Sequence, residues 1–129
     1  HGDVHLRNWY VTADGAMGLG DWQCCGRGHW GRDVAYTLSS ALAIDDRRAW
    51  ERELLAFYVD ALAAAGGPQV SVEQAMAHYR RQLPAALAWW TYTLSPPPGM
   101  PDMQPRPATL AFIGRIATAM DDLDSLDAF

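Results

Sequence analysis

The sequence predicts a mainly α-helical domain that begins with a small β-hairpin, and three observations support this fold class. After residue 32, apolar residues recur at spacings of three and four, as expected for amphipathic helices. Before that point, two short stretches rich in aromatic, β-branched and glycine residues flank an Asp-Gly turn signal. The chain has 129 residues, half of them hydrophobic, which suits a single domain with a real core.

The chain is predicted to open with a loop and a hairpin. The segment His1–Asn8 has neither helical nor strand periodicity and is interpreted as a loop. The predicted strands are Trp9–Thr12 and Ala16–Gly20, joined by the Asp-Gly turn. Asn8 and Asp21 then fall at the open ends of one hairpin, where antiparallel strands lie about 4.8 Å apart.

Four or five helices are expected after a glycine-rich loop over residues 22–31. The first begins near Arg32, and the second runs from Asp46 to Ala65 with Asp45 as its N-cap. The apolar stripe predicted to be buried on this second helix consists of Trp50, Leu54, Phe57, Tyr58, Ala61 and Leu62.

The second half of the chain contains a clear helix start and a clear interruption. Ser71 to Gln74 has the pattern of a capping box, and Pro84 is expected to end or kink the helix that follows. A further helical piece, 85–94, precedes a loop with six prolines over 95–107. A last helix is expected from Ala108 to Met120, followed by a short docked turn.

Composition narrows the classes of partner. A net charge of −5 and a pI near 5.1 argue against a nucleic-acid partner or an anionic membrane surface, since both require clustered Lys and Arg. The two cysteines, Cys24 and Cys25, are adjacent and form no disulfide framework, so we expect reduced thiols and a cytoplasmic location. The longest apolar run is too short, and too broken by Pro84, to span a bilayer.

Three residues around the predicted hairpin suit phosphoryl transfer. A carboxylate such as Asp3 can orient and deprotonate a hydroxyl group. The amide oxygen of Asn8 and the carboxylate of Asp21 are ligands that Mg²⁺ accepts alongside phosphate oxygens and water. Each residue alone is typical of a turn or strand end, but the three together favour a catalytic site.

Other groups of residues suggest alternatives. His1, Asp3 and His5 alternate as some transition-metal ligands do. Cys24, Cys25 and His29 could contact zinc, although neighbouring thiols chelate poorly. An aromatic wall for a cationic ligand, with core packing as its alternative, would comprise Trp22, Trp30, Trp89, Trp90 and Tyr92.

The motifs resemble those of one enzyme family. His1-Gly2-Asp3-Val4-His5-Leu6-Arg7-Asn8 resembles the His-Gly-Asp-x-His-x-x-Asn catalytic loop of the aminoglycoside phosphotransferase and choline kinase-like family, which is distantly related to the protein kinases. Gly20-Asp21-Trp22-Gln23 resembles the family's metal-binding segment, and Gly31 to Leu38 resembles the helix start that follows it. The resemblance implies the helical C-terminal lobe of a protein-kinase-like fold.

The resemblance also implies roles for individual residues. Asp3 would be the catalytic base, while Asn8 and Asp21 would bind Mg²⁺. Asp33 would tie its helix to the catalytic loop, and His1 would brace that loop. His5 is expected either near the nucleotide phosphates or as a packed loop histidine. The sequence departs from the family at Gly18 and Gly20, which predict a looser returning strand, and at the cysteine pair.

The implied enzyme transfers the γ-phosphoryl group of ATP, or of GTP in its place, to a hydroxyl of a small molecule. Residues 1–31 would form the catalytic loop, hairpin and metal-binding segment, and 32–129 a helical substrate-binding region. The nucleotide-binding lobe of such enzymes would precede His1, so we expect the chain to be a C-terminal lobe with little activity alone. The acceptor stays open, and the alternative function is a non-catalytic, kinase-like helical binding module.

Overall fold

The computed structural model describes all 129 residues, His1–Phe129, and confirms the mainly helical fold class with one N-terminal hairpin. Strands β1 (Trp9–Val11) and β2 (Met17–Leu19) pair antiparallel. No helix combines the length and hydropathy that crossing a membrane requires. The four helices are α1 (Trp30–Ala41), α2 (Ile44–Ala64), α3 (Val72–Leu94) and α4 (Arg106–Asp122).

The hairpin forms where the sequence predicts it, and one glycine has a packing role there. Tyr10 pairs with Gly18 across the two strands. A Cβ atom placed on Gly18 would lie 2.2 Å from the Tyr10 ring, so the ring fills the space that a side chain would otherwise occupy. An aromatic ring lying over a glycine in this way compensates for the missing side chain of the returning strand.

Helix α1 begins two residues before the predicted position. His29 is its N-cap, and its Nδ1 atom accepts a hydrogen bond of 3.0 Å from the Gly31 amide. Histidine is not among the residues that usually signal a helix start, which explains the error. The segment before it also contains a short 3₁₀ turn, Trp22–Cys24, within the predicted loop.

The face of α2 that is buried differs from the predicted stripe. Phe57 is 73% exposed and Trp50 is 48% exposed, so the prediction of an inward stripe through them is wrong. The N-cap is Ala43 instead of Asp45. A charged pair occupies the inner face, and a pattern that assigns all charges to solvent cannot find it. The buried residues of α2 are Arg47, Glu51, Leu55 and Val59.

Helix α3 starts at the predicted capping box and continues through Pro84. The Ser71 hydroxyl accepts a hydrogen bond from the Gln74 amide, and the Gln74 side chain accepts one from the Ser71 amide. Pro84 lies inside the helix, so of the two expectations, an end or a kink, the end at Pro84 is wrong. An interior proline costs about 3 kcal/mol relative to alanine. Burial of Leu83 and Trp90, on either side of Pro84, offsets that cost.

Two apolar clusters hold the helices together. The larger one gathers side chains from all four helices, including Leu55 from α2 and Leu83 from α3. The smaller one lies under the N-terminal loop and connects Val4 to α1, α3 and α4. Its other buried members are Tyr36, Ala86, Trp90 and Ile116.

A network of charged side chains joins α2 to the end of α4. Arg47 is almost completely buried, and its guanidinium lies 2.6 Å from a Glu51 carboxylate oxygen. The same guanidinium contacts Asp122, which also accepts two hydrogen bonds from Arg48. The two helices are therefore connected by paired charges as well as by apolar contacts.

Candidate active site

The loop before the hairpin is anchored to the core by its central residue. Val4 is 6% exposed and belongs to the smaller apolar cluster. Its carbonyl oxygen accepts a hydrogen bond of 3.1 Å from the Thr37 hydroxyl of α1. Because the Val4 side chain is buried and its carbonyl oxygen is hydrogen-bonded, the neighbouring residues Asp3 and His5 are held at defined positions against the helical body.

The Asp3 carboxylate is partly buried and held on one side. The Tyr36 hydroxyl donates a hydrogen bond of 3.0 Å to Asp3 Oδ1. Burial first, and then the negative charge of Asp3, raises the pKa of the Tyr36 phenol, so Tyr36 keeps its proton and acts as a donor. The second oxygen, Oδ2, lies 3.7 Å from His5 Nε2. One carboxylate oxygen is therefore engaged while the other has room for a further partner.

His5 is buried beside this carboxylate. Its Nδ1 atom accepts a hydrogen bond of 3.2 Å from the Arg7 amide, so the neutral ring carries its proton on Nε2 and directs it toward Asp3. The ring also packs 5.9 Å from the Trp90 ring, measured between centroids. Of the two expectations for His5, a packed loop histidine agrees with this burial.

His1 and Asp33 connect the loop to its neighbours. Asp33 Oδ1 accepts a hydrogen bond of 2.9 Å from the Gly2 amide, and Oδ2 lies 2.7 Å from the His1 backbone nitrogen. His1 Nδ1 accepts from the Asp3 amide at 3.2 Å, and Nε2 lies 2.8 Å from the Gly20 carbonyl oxygen. The His1 ring thus spans from the Asp3 backbone to the residue that precedes Asp21.

Asn8 and Asp21 lie at the two open ends of the hairpin. The Gly20 amide donates a hydrogen bond of 2.7 Å to the Asn8 carbonyl oxygen, which fixes the two ends side by side. The Asn8 side-chain nitrogen donates to the Asp3 carbonyl oxygen at 2.9 Å, so its amide oxygen is the atom left to bind a cation. Asp21 is exposed, with a left-handed φ of 55°. Two oxygen donors of this kind fit Mg²⁺.

Helix α1 contributes two residues to which the sequence analysis gave no role. Tyr36 and Thr37 follow Asp33 by three and four positions, so all three lie on one face of the helix. Each of them hydrogen-bonds the N-terminal loop, at Gly2, Asp3 or Val4. The helical spacing of polar groups after Asp33 is the signal that could have identified them.

A cavity of about 230 Å³ opens beside the Asp3 carboxylate. Its floor includes Tyr36 and Trp90, whose rings stack 5.6 Å apart with an interplanar angle of 11°. Most of its outer wall comes from the C-terminal end of α3 and from the proline-rich loop, through Trp89, Tyr92, Met100 and Met103. The predicted aromatic wall is therefore divided, because Trp22 and Trp30 do not line this cavity.

The two alternative metal sites have no geometric support. No group of three or more histidine, cysteine, aspartate or glutamate side chains comes together in a way that could hold a metal ion. His1 and His5 each turn toward hydrogen-bond partners in or beside the loop. Cys24 and Cys25 are both free and exposed.

Comparison with known proteins identifies the family. The model of the phosphotransferase enzyme family (APH) matches residues 1–81, from the N-terminal loop to the middle of α3. No curated protein and no solved structure matches the chain. The matched segment covers 81 of 129 residues and includes every residue of the predicted catalytic and metal-binding motifs. The chain therefore belongs to the phosphotransferase enzyme family, as its first eight residues predict.

Proposed function

We propose that the protein is a small-molecule kinase that transfers the γ-phosphoryl group of ATP, with GTP as the alternative donor, to a substrate hydroxyl. The observation that carries the proposal is the Asp3 carboxylate. One of its oxygens is held by Tyr36, and its side chain lines a cavity large enough for a small acceptor. A carboxylate fixed in this way suits a catalytic base, because base catalysis requires a defined orientation toward the substrate proton.

In the proposed mechanism, Asp3 Oδ2 accepts the proton of the acceptor hydroxyl as its oxygen bonds to the γ-phosphorus. The bond from that phosphorus to the bridging oxygen breaks, and the nucleoside diphosphate leaves with that oxygen. Tyr36 keeps its own proton and holds the carboxylate in place. His1 and Asn8 fix the backbone on either side of Asp3 through hydrogen bonds to its amide and its carbonyl oxygen. The chain's contribution is therefore mainly positioning, which accounts for a large part of catalysis in phosphoryl transfer.

Asn8 and Asp21 are the proposed ligands of Mg²⁺. When bound with the nucleotide, the ion neutralises charge that develops on the phosphate oxygens. The support in the chain is the hydrogen bond between Gly20 and Asn8, which holds the two ligands at adjacent hairpin ends. His5 has a supporting role in this proposal, since its Nε2 atom lies 3.7 Å from Asp3 Oδ2. The nucleotide-binding lobe and a cytoplasmic location stay predictions.

The test is the substitution Asp3→Asn in the complete protein, assayed for ADP release with MgATP and a panel of hydroxylated compounds. Asparagine preserves the shape and the Tyr36 contact but cannot accept the proton, so turnover should fall by a factor of about 10² or more while ATP binding is retained. Asp60→Asn is the matched control, because Asp60 is an exposed carboxylate on α2. Unchanged turnover in Asp3→Asn would exclude Asp3 as the base.

A further inference from the structure

The residues that line the cavity beside Asp3 indicate which kind of acceptor would fit, and the family match leaves that question open. Its outer wall is formed by residues 89–104, which lie beyond the matched residues 1–81. Four large apolar side chains there are 37–47% exposed and line the same cavity, and exposed apolar residues that lie together indicate a ligand or partner site more than scattered ones do. They are Trp89, Tyr92, Met100 and Met103.

The charges around the cavity do not favour a cationic acceptor. Asp3 supplies the only carboxylate among the lining side chains. Charges of both signs lie behind the wall. Arg32 lies 5.6 Å from the centroid of the Trp89 ring, and Arg7 donates a 2.8 Å hydrogen bond to the lining residue Gln104. The Asp21 carboxylate lies 3.5 Å from the side-chain nitrogen of the lining residue Gln23. Two guanidinium groups therefore balance two carboxylates, and an ammonium group in the cavity would meet no excess of negative charge.

Several polar groups of the wall are engaged already, while the buried indole nitrogen of Trp90 has no hydrogen-bond partner. The Thr93 hydroxyl donates to the Trp89 carbonyl oxygen, and the Gln104 side-chain oxygen accepts from Arg7. The Tyr36 hydroxyl is bound to Asp3. A sugar-like ligand with many hydroxyls would find few partners here, and unpaired buried polar groups are costly. The volume of about 230 Å³ is also below the range of roughly 300–1,000 Å³ typical of drug-sized ligands.

We propose that the acceptor is a small, uncharged alcohol with an apolar body about the size of one ring. Its body packs against Trp89 and Tyr92, and its hydroxyl reaches Asp3 Oδ2. The two methionines are flexible enough to fit acceptors of slightly different shape. This inference rests on the proposed kinase function, because it takes Asp3 as the group that receives the hydroxyl proton.

The test compares two alcohols with one skeleton. The purified complete protein is given MgATP with 3-phenylpropan-1-ol or with its amino derivative 2-amino-3-phenylpropan-1-ol, and kanamycin serves as a polycationic probe. Binding is measured by calorimetry and phosphorylation by ADP release. We expect kcat/KM for the neutral alcohol to exceed that of the amino alcohol by roughly tenfold or more, and no turnover of kanamycin.

Substitutions in the cavity wall test whether the preference for the neutral alcohol arises at this cavity. Trp89→Ala and, independently, Tyr92→Ala should weaken binding of the neutral alcohol by roughly tenfold, since each removes apolar contact area. Phe57→Ala should leave it unchanged, because Phe57 is 73% exposed on α2 and does not line the cavity. Two wall variants are used so that one misfolded variant does not decide the result.

The outcomes separate the two proposals. If the neutral alcohol binds at this wall but no ADP is released, the kinase function is wrong and the ligand class stands. If ADP is released with kanamycin or the amino alcohol, at rates equal to or above those with the neutral alcohol, the kinase function stands and the inferred ligand class is overturned. Binding unaffected by both Trp89→Ala and Tyr92→Ala would also overturn it.

Discussion

Among single residues, Tyr36 shows how the proposed catalytic loop depends on a helix more than thirty positions away. Its ring is 4% exposed and stacks on Trp90, while its hydroxyl reaches the Asp3 carboxylate. The Tyr36 ring therefore belongs to the apolar core, and the Tyr36 hydroxyl belongs to the candidate active site. The role of Tyr36 is to position Asp3, since it holds the oxygen opposite the one proposed to meet the substrate.

Replacing Tyr36 by phenylalanine should separate these two contributions. Tyr36→Phe keeps the stacked ring but removes a hydrogen bond to a charged group, worth about 1.5–3 kcal/mol. We expect kcat to fall by about tenfold or more with little change in KM, because the orientation of Asp3 is lost and the cavity wall is kept. Steady-state kinetics with Tyr10→Phe as control provide the measurement. A change confined to KM would contradict the positioning role.

Among the elements, the sequence predicted the hairpin and the α3 capping box but assigned α2 the wrong face. The hairpin and the capping box depend on neighbours within a few residues, so local patterns suffice. The inner face of α2 depends on Asp122, which is about 75 positions from Arg47. Local periodicity does not show contacts between residues far apart in the sequence, so it could not predict that partner. For the same reason it could not predict the contact between Tyr36 and Asp3. The motif residues could be proposed from the sequence because their spacing is itself local.

Helix α3 offers a test of how packing overrides local preference. Pro84 supplies no amide hydrogen, so the Arg80 carbonyl oxygen lacks its usual helical partner. Pro84→Ala should raise the free energy of unfolding by about 1–3 kcal/mol, because the missing donor is restored and the ring's crowding is relieved. Urea denaturation measures the change. Ala85→Gly should shift stability the other way by about 0.5–1 kcal/mol, and a destabilised Pro84→Ala would show that the proline fits better than alanine.

For the molecule as a whole, the charged network between α2 and α4 affects stability more than any one surface pair. Arg47→Met should destabilise the fold by about 3 kcal/mol, since Glu51, only 8% exposed, is left buried without its partner. The double variant Arg47→Met with Glu51→Leu should recover most of that loss, because an apolar pair of similar volume needs no compensation. Chemical denaturation of the wild type, Arg47→Met, Glu51→Leu and the double variant tests this. Equal losses in single and double variants would mean that the arginine itself is required.

The same network predicts a pH dependence at its outer end. Hydrogen bonds from Arg48, and then from Arg47, hold the pKa of Asp122 below its ordinary value of 3.8. A depressed folded-state pKa gives stability that is fully present above the unfolded value and is lost as the pH falls through the folded one. Urea unfolding from about pH 7 to about pH 2 should therefore show a smaller acid loss in Asp122→Asn than in the wild type. Asp102→Asn, an exposed loop carboxylate, should behave like the wild type.

Because α3 continues through Pro84, it should determine how the core and the cavity wall unfold together. At about 1.5 Å per residue, its 23 residues form a rod about 34 Å long that joins the main core at one end to the wall of the cavity at the other. Because Leu83 and Trp90 are buried on either side of Pro84, the two halves should unfold as one cooperative unit. In native-state hydrogen exchange, amides before and after Pro84 should reach the same opening free energy, so the cavity wall should loosen only when the core does.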